Sequence, residues 1–575
     1  MNNDTLCIYR HKNNPYDNYY TIDHGIRSSL PLTKHNNCNV IIIGEIYNIN
    51  ELKKRYNILS DKKEIIILEL YFRIGHDIKN ILKGIFVVVI IDESKIVIFR
   101  DYFSIHTIYY YINNEDIVIT NRISEMKHFI KLEFNEKVLA KYLLSSTIFL
   151  GDTFFKDVIT LKHGEIISIS IDNAKAESIY PKDEERIYIG NIKERNIINN
   201  IDKIIKGNIK EITDIVSCSN VVNSLSGGVD SSYLQIVLKE LGYSLAYTHS
   251  HAISDKSFIE PCLKYLEIDH KIIELNEEEV LEYLWDGIEA TESPFMFEGE
   301  ILENKMFSSI SDDYNDKLLI TSGNAADTVF GMGRKFILLS HLYNPVTIFI
   351  MKMVLGVISA INKKYKKYYY LINKISKNQV DEELLSYFLC SNNYPELIKK
   401  ALRINNISKV FFEDVEEIKK INRKLPENIY MWNAIGYEII RENATSYMLA
   451  RAKGQNICFP FLDKELYQFI NTLSLKKRTR NFIPKYFMKK LALKYFPKEF
   501  IYRKKSNKNK HIQYNFIYDN NSKEVKRLIE EIKKVKVPHL FFDYEEIFSK
   551  REYYGIAIKI INIYIMNKIF IEHGQ

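Results

Sequence analysis

The residues best suited to chemistry lie in one short stretch, Asn223 to Ser232, which reads NSLSGGVDSS. An apolar run predicts a strand that ends at Leu225, and a helix that stops at Gly242 is predicted to follow. Four apolar residues form one face of that helix: Leu234, Val237, Leu238 and Leu241. Glycines and serines at such a turn expose consecutive backbone N–H groups beside the positive end of a helix. The stretch therefore predicts a cradle for phosphate groups.

The carboxylate of Asp230 narrows the chemistry of this loop. A carboxylate beside phosphates is favourable when it holds a Mg²⁺ ion that the phosphates share. The loop matches neither GxxxxGKS/T nor GxGxxG, which disfavours ordinary P-loop nucleotidases and dinucleotide-binding proteins. The alternative interpretation is a polar turn in an α/β protein that binds nothing.

The elements that must position this loop follow from the rhythm of the chain. In the first part, three apolar runs predict strands of sheets that are covered on both faces: 40–43, 84–91 and 95–99. The polar stretch 172–200 predicts a linker. Beyond it, strands alternate with helices, which indicates a parallel sheet with strands at 221–225, 243–250 and 318–321. Helices dominate from about residue 335.

The composition limits the class of protein. A chain of 575 residues exceeds one core, so two or three domains are expected. The net charge of +7 is too small to require nucleic acid as a partner. Six cysteines without a CxxC pair favour reduced thiols in a cytoplasm over a zinc ribbon or a disulfide scaffold. The polar start MNNDTLCIYR predicts no secretory signal.

The segment 346–361 is apolar apart from four residues, and Asn344-Pro345 before it predicts a helix start. It is shorter than the roughly 20 residues that span a bilayer, and Lys352 lies in its middle. We therefore expect a buried helix. A peripheral contact with a membrane stays as the alternative, because the basic and aromatic run 363–368 follows directly.

The stretch SGGVDS at 226–231 resembles the pyrophosphate loop of the N-type ATP pyrophosphatases, which cleave ATP between the α and β phosphates. Further matches resemble the asparagine synthetase-like branch of these enzymes and run in family order over residues ~40–505. They are GEIYN at 44–48, GIF at 84–86, Asp92, RD at 100–101, SGNAADTVFG at 322–331, PFLD at 460–463, Lys485 with Lys489, Pro497, Ile501 and RKK at 503–505.

This resemblance implies an α/β fold with three parts. Residues 1–172 would form a degenerate class II glutamine amidotransferase-like domain of the Ntn-type αββα fold. Residues 201–515 would form a doubly wound parallel-sheet ATP-pyrophosphatase domain with a helical C-terminal part. Residues 516–575 would be a helical extension.

The resemblance also implies roles for individual residues, with ATP and Mg²⁺ as cofactors. Asp230 and Asp327 would share the Mg²⁺ ion, and Lys485 would stabilise charge that develops on the phosphates and on the oxyanion. Residues of two loops would bind the nucleotide: Leu225, Ser226, Gly227, Gly228, Asp230, Ser231, Ser232, Ser322 and Gly323. Alternatively, Lys485 is a surface lysine and Asp327 a helix N-cap.

Departures from the family pattern change the expected reaction. Glutamine-dependent members begin Met-Cys, whereas this chain has Asn2, and Cys7 is expected to be an ordinary buried thiol. Ile43 replaces the asparagine that opens the family's NGEIYN. Without the nucleophile and an oxyanion donor, the first domain should not make ammonia. Four further departures argue against asparagine as the product: Asn324, Thr328, Asn456 and Cys458.

An adenylated carboxyl group then needs another nucleophile. The pattern looks most like a lasso peptide cyclase, in which the N-terminal amine of a precursor peptide attacks an Asp or Glu side chain and closes a macrolactam ring. A precursor peptide, a leader-binding protein and a cysteine protease of the same pathway would be the partners, with no nucleic acid. The alternatives are a ligase that uses ammonia or a small amine, including the β-lactam synthetase type, and a silent peptide-binding scaffold.

Overall fold

The computed structural model describes most of the chain. The described residues are 5–11, 19–21, 25–113, 115–145, 151–181, 192–216, 220–250, 253–295, 299–314, 316–362, 365–389, 395–403, 407–420, 425–433, 441–503, 517–518 and 522–572. Asn2 and 504–505 of the RKK motif lie outside them, as do 363–364 of the basic run and 182–191 of the predicted linker.

Two antiparallel sheets form the first part of the chain. The first has the order β10-β8-β9-β1-β3-β2 and the second has the order β12-β11-β7-β6-β5-β4. Their strands are β1 Cys7–Arg10, β2 Tyr20–Thr21, β3 Arg27–Ser28, β4 Thr33–His35, β5 Cys38–Ile46, β6 Gly84–Ile91, β7 Lys95–Arg100, β8 Tyr109–Ile112, β9 Ile117–Thr120, β10 Ile159–Thr160, β11 Ile166–Ser170 and β12 Ala176–Ile179. The helices here are α1 Ile49–Arg55, α2 Lys63–Ile74, α3 Ile78–Ile81, α4 Ile123–Met126 and α5 Glu136–Ser145.

Strand β6 explains why its apolar run does not alternate with polar residues. Val87, Val89 and Ile91 pack with the other sheet, in a cluster that includes Ile8 and Ile119. The intervening side chains point the other way and pack with the helices α1 to α3: Phe86, Val88 and Ile90. Both faces of the strand are therefore buried, as the continuous run predicts.

Several motif residues of the first part hold turns of the fold. Asn48 donates from Nδ2 to the carbonyl of Ile81 at 2.8 Å and accepts from the Lys83 N–H at 2.9 Å. Asp101 accepts from the N–H groups of Ile105 and His106 at 3.0 and 2.9 Å. These contacts give the family-like residues a structural role that does not need glutamine hydrolysis.

The second part contains a five-stranded parallel sheet with the order β15-β14-β13-β16-β17. Its strands are β13 Val221–Ser224, β14 Leu245–Ser250, β15 Asp269–Glu274, β16 Leu319–Ser322 and β17 Asn456–Cys458. The chain runs outward from β13 to β15 and then returns to the other side of β13 with β16. Ligands of open parallel sheets bind where the strand order reverses, which here lies at the carboxyl ends of β13 and β16.

Helices cover this sheet and form the rest of the described chain. They are α6 Glu194–Ile215, α7 Val229–Glu240, α8 Ile253–Leu266, α9 Val280–Thr291, α10 Gly299–Asp313, α11 Ala326–Phe330, α12 Arg334–Leu342, α13 Pro345–Ile361, α14 Lys366–Ser376, α15 Glu382–Leu389, α16 Pro395–Ala401, α17 Phe412–Lys419, α18 Leu425–Asn433, α19 Asn443–Ala452, α20 Lys464–Asn471, α21 Leu475–Arg478, α22 Tyr486–Ala492, α23 Lys498–Ile501, α24 Lys523–Val535, α25 Tyr544–Ser549 and α26 Tyr554–Met566. In α7, Leu234, Val237 and Leu238 are buried as predicted, but Leu241 is 37% exposed because the helix has already ended at Glu240.

The C-terminal helix is part of the core. Asn562 donates from Nδ2 to Tyr142 Oη and to the carbonyl of Phe295, both at 2.9 Å, and so joins the two parts of the chain. Among the described residues, the segment Arg551–Ile571 is the one single helix long and apolar enough to cross a membrane. About two thirds of its most apolar window is buried inside the protein, which is typical of a core helix.

Helix α13 departs from its prediction. Asn344 caps it as expected, because its side chain accepts from the Thr347 N–H at 2.9 Å, and Pro345 occupies the first turn. The helix is nevertheless not buried: seven apolar side chains are half or more exposed, namely Val346, Phe349, Ile350, Met353, Val354, Val357 and Ile361. The prediction was wrong because a helix that is apolar on all sides does not show in its sequence which side meets the protein.

The two parts of the chain are joined by a buried carboxylate. Glu292 follows α9 in a left-handed conformation, with φ of 52°. Its side chain is fully buried, accepts from the N–H groups of Ile123 and Ser124 at the start of α4, and pairs with Arg122 at 3.0 Å. A residue of the second part thus caps a helix of the first.

We expect Glu292→Gln to lower the free energy of unfolding by about 2 kcal/mol, because an amide nitrogen then faces a backbone N–H in a buried site. Thermal unfolding at neutral pH measures the change. Glu289→Gln is the matched control, since Glu289 is exposed on the same helix and should leave the midpoint unchanged. Equal midpoints for the two variants would contradict this role.

Candidate active site

The phosphate loop is closed by its own side chains. The Ser226 N–H donates to Ser231 Oγ at 3.1 Å, and the Gly228 N–H donates to Ser226 Oγ at 3.4 Å. Gly227 has φ of +72°, which a residue with a side chain adopts only with strain. Its carbonyl accepts from Arg503 Nη2 at 2.6 Å. The predicted turn between β13 and α7 is therefore held in one conformation by these hydrogen bonds.

A second loop, after β16, lies directly against the phosphate loop. Ser224 and Ser322 are paired at the ends of the two strands. A Cβ atom on Gly323 would lie 3.2 Å from the backbone nitrogen of Ser231. Only glycine lets the two loops approach this closely without displacement. Asp327 follows in the first turn of α11, as Asp230 does in α7.

Lys485 connects the two loops through an ion triad, which we define as Lys485, Asp230 and Asp327. Its Nζ lies 2.5 Å from Asp230 Oδ2 and also pairs with Asp327 Oδ1. The side chains of Lys485 and Asp230 are 8% and 13% exposed, whereas that of Asp327 is 38% exposed. Burial alone would lower the pKa of Lys485, but the two carboxylates outweigh it and raise this pKa well above its ordinary value. The ammonium group is therefore charged at neutral pH.

The backbone of Lys485 is strained in a way that serves this contact. The residue precedes α22 with φ of 53° and ψ of 43°, a left-handed conformation that is uncommon for a lysine. Its N–H donates to the carbonyl of Gly331 at 3.0 Å, which fixes the entry to the helix. Strain of this kind persists where surrounding contacts enforce it, and it is common at functional sites. Lys485 is thus not the surface lysine of the alternative interpretation.

A cavity of about 360 Å³ opens beside the triad at the point where the strand order reverses. The predicted residues that line it are Ser226, Asp230, Ser231, Ser322, Gly323 and Asp327. The structure places the other predicted residues differently. Leu225 packs in the core below the loop, and Ser232 donates from Oγ to the Gly228 carbonyl at 2.6 Å. Gly227 and Gly228 shape the loop behind the cavity wall.

The triad fits a magnesium ion that is shared with phosphates. Asp230 Oδ1 is buried and has no hydrogen-bond partner among the described residues, while its Oδ2 pairs with Lys485. Within the described ranges, no group of three or more His, Cys, Asp or Glu side chains could hold a metal without other ligands. One or two carboxylates with substrate phosphates are the usual ligands of Mg²⁺. Asp230 and Asp327 are the residues that would hold it.

Glu303 is a cavity residue that motif analysis did not find. It comes from α10, lines the cavity, and accepts from Ser446 Oγ at 2.8 Å. Asn324, which departs from the family motif, donates from Nδ2 to the same hydroxyl at 3.2 Å. Burial raises the pKa of Glu303 to about 7, and the nearby carboxylate of Glu300 adds to the shift. A carboxyl group with this pKa can accept a proton near neutral pH.

Of the remaining departures, Thr328 also lines the cavity, whereas Asn456 and Cys458 are not among its lining residues. Asn456 begins β17 and accepts from Arg451 Nη1 at 2.6 Å, and Cys458 is buried at the end of that strand. Asp463 of the PFLD motif accepts from the Leu466 N–H at 2.8 Å and caps α20.

In the first domain, Cys7 is a fully buried thiol in the middle of a sheet, as predicted. Ile43 is 6% exposed and lies beside a second cavity of about 370 Å³ between the two parts of the chain. Its aliphatic side chain offers no hydrogen bond to an oxyanion there.

Comparison with known proteins gives one family match for each of the two parts of the chain. The family model for asparagine synthase matches residues 215–548, and that for a glutamine amidotransferase domain matches residues 20–180. The chain is 23% identical over 500 residues to the glutamine-hydrolyzing asparagine synthetase 1 of Bacillus subtilis (strain 168), covering 81% of this chain and 74% of that protein.

Two solved structures are also similar, each with 10% identity and a TM-score of 0.21. Glutamine phosphoribosylpyrophosphate amidotransferase from B. subtilis, complexed with ADP and GMP, matches over 57% of this chain and 71% of its own. The allosteric regulatory enzyme of purine biosynthesis matches over 56% of this chain and 68% of its own.

The protein is thus a homologue of ATP-dependent ligases that form carbon–nitrogen bonds. Because the asparagine synthase match covers more than half of its length, the chain belongs to the asparagine synthase family. The predicted asparagine synthetase-like class is confirmed, and so is a mixed α/β fold with an amidotransferase-type first domain and a parallel sheet. Members of this family use ATP, typically with Mg²⁺.

The raised pKa of Glu303 predicts how stability changes with pH. The folded protein holds this proton up to about pH 7, whereas the unfolded chain releases it near the ordinary value of 4.5. Between these values the folded state binds more protons, so stability from this group falls as pH rises. Glu303→Gln removes that loss and should be more stable than the wild type above pH 7, by an amount on the order of 2 kcal/mol.

Thermal unfolding from pH 4 to pH 8 measures this difference. The difference in unfolding midpoint between Glu303→Gln and the wild type should increase as the pH rises from about 4.5 to about 7. Glu282→Gln, at an exposed position of α9, is the control and should follow the wild type throughout. If this difference in midpoint did not change with pH, the carboxyl group of Glu303 in the wild type would have an ordinary pKa.

Proposed function

We propose that the protein is an AMP-forming macrolactam synthetase of the lasso peptide cyclase type. It would activate the Asp or Glu side chain of a precursor peptide with ATP, and the N-terminal amine of the same peptide would attack. The observation that supports this most strongly is the ion triad, because it combines a phosphate loop, two carboxylates and a buried cation at one cavity. Ile43, whose side chain offers no hydrogen bond to an oxyanion, favours an amine of the substrate over ammonia as the nucleophile.

In the first step, a carboxylate oxygen of the peptide attacks the α-phosphorus, and pyrophosphate leaves. The chain's own residues would hold the phosphates in place through the backbone N–H groups in the first turn of α7 and the positive end of that helix. Lys485 supplies a fixed positive charge beside the leaving group. A magnesium ion, when bound, would neutralise further charge on the phosphates.

In the second step, the amine attacks the activated carbonyl carbon, and AMP leaves with the electron pair of the broken C–O bond. The attacking nitrogen must lose a proton. Glu303 lines the same cavity, and the pKa of its carboxyl group, raised by burial to about 7, suits that transfer. Ser446 would orient the carboxylate through its hydrogen bond, and Asn324 would orient Ser446.

The partners and the cellular place of this reaction are also part of the proposal. A precursor peptide would be delivered by a leader-binding protein and shortened by a cysteine protease, and no nucleic acid would take part. The buried thiols Cys7, Cys38, Cys262 and Cys458 suit the reducing cytoplasm.

The substitution Asp230→Ala tests the site. With ATP and the precursor peptide, the wild type should release AMP and pyrophosphate and give a product lighter by one water. The variant should lose at least about 1,000-fold in rate, because the loop then lacks its metal ligand and the partner of Lys485. Asp316→Ala, at an exposed position of the same domain, is the control and should act like the wild type.

The other outcomes of that experiment separate the alternatives. Release of ADP instead of AMP would overturn the proposal. Pyrophosphate exchange that depends on a free amino acid would favour a ligase for ammonia or a small amine. Peptide binding without turnover, unchanged in Asp230→Ala, would identify a scaffold.

Glu303→Gln should separate the two chemical steps. ATP–pyrophosphate exchange reports adenylation and should stay within about threefold of the wild type, whereas ring closure should fall by about 100-fold or more. In the wild type the rate of ring closure should rise with pH through about 7, as the carboxyl group loses its proton. Equal losses in both steps would assign Glu303 a structural role instead.

A further inference from the structure

Helix α13 and its partner α14 form a hairpin, which we call the apolar hairpin (345–376, described except at 363–364). The two helices pack closely where Gly356 meets Tyr369, since a Cβ atom on Gly356 would lie 3.3 Å from the tyrosine ring. Nothing in the described chain covers the outer face of α13, where seven apolar side chains are half or more exposed. An exposed apolar face of this size marks an interaction surface.

The charge distribution of the sequence identifies what this surface meets. From 328 to 380 the chain has nine Lys and Arg residues and no Asp or Glu. The whole chain has a net charge of +7, so the remaining residues together carry −2. The apolar hairpin and the residues that flank it therefore carry a local excess of nine positive charges. An anionic surface is its electrostatic complement.

The arrangement of side chains favours a lipid surface over an acidic protein. Lys366 and Lys367 are exposed at the start of α14, next to the half-exposed rings of Tyr365 and Tyr368. Aromatic and basic residues beside an apolar stripe are the usual composition of a helix that lies in the headgroup region. At about 1.5 Å per residue, the 17 residues of α13 reach about 25 Å, short of the roughly 30 Å hydrocarbon core. The helix is suited to lie on a bilayer.

We propose that the apolar hairpin docks the protein on the surface of an anionic lipid bilayer, with α13 parallel to the membrane. The adjacent helix α12 meets α13 at a bend of 101°, and α12 begins directly after Gly333 of the cavity wall. Docking would therefore hold the mouth of the active-site cavity near the membrane. The apolar hairpin contains no residue of the ion triad, so the inference is independent of the proposed reaction.

Sedimentation of the full-length protein with vesicles tests the proposal. Vesicles of phosphatidylcholine mixed with phosphatidylglycerol should bind the protein, and pure phosphatidylcholine should bind it at least about tenfold less. Phe349→Glu with Val357→Glu should abolish binding, and Lys366→Gln with Lys367→Gln should weaken it about tenfold. Leu59→Glu is the matched control, because Leu59 is 94% exposed between α1 and α2 in the first part of the chain and should leave binding unchanged.

A second measurement does not depend on disruptive substitutions. When anionic vesicles are added, the fluorescence maximum of the Val357→Trp variant should shift to shorter wavelength by more than that of the wild type. No binding to either vesicle would overturn the proposal. Equal binding to the two kinds of vesicle would also overturn it. So would a dimer in solution that dissociates in the Phe349→Glu with Val357→Glu variant, because a second copy of the chain would then cover the apolar face of α13.

Discussion

The contact of one ammonium group with two carboxylates is the interaction on which the site depends. Lys485, Asp230 and Asp327 come from positions far apart in the chain, and each begins or closely follows a loop at the edge of the parallel sheet. A buried charge is stable only when it is paired, so these three positions constrain one another. The pairing holds the α22 entry against both nucleotide loops and leaves Asp230 Oδ1 available to a metal ion.

Sheet topology supplies the rest of the geometry. Because β13 and β16 are neighbours whose following helices leave the sheet at its switch point, their two loops face one cavity. Gly323 allows contact between these loops, and α10 and α19 add Glu303 and Ser446 from a third direction. The first domain is held to this assembly by Glu292 and by the buried C-terminal helix. Its family-like residues Asn48 and Asp101 maintain turns of the fold.

Much of this could be predicted from sequence where local patterns determine structure. The loop at 226–231 and the run at 84–91 are encoded in consecutive residues, and they fold as expected. Glu303 was missed because it lies in an ordinary helix and only tertiary packing brings it to the cavity. Helix α13 was misjudged because burial depends on neighbours that periodicity does not reveal. Leu225 and Ser232 match the family motif, yet their side chains serve the core and the helix start.

Oxygen-isotope transfer tests whether the protein adenylates a carboxyl group of its peptide substrate. A precursor peptide whose acceptor side-chain carboxylate contains ¹⁸O would be turned over with unlabelled ATP, and the products would be weighed by mass spectrometry. Attack of the carboxylate on the α-phosphorus predicts one ¹⁸O atom in AMP and none in pyrophosphate. Label in inorganic phosphate, or AMP without label, would show that the carboxyl group is not adenylated.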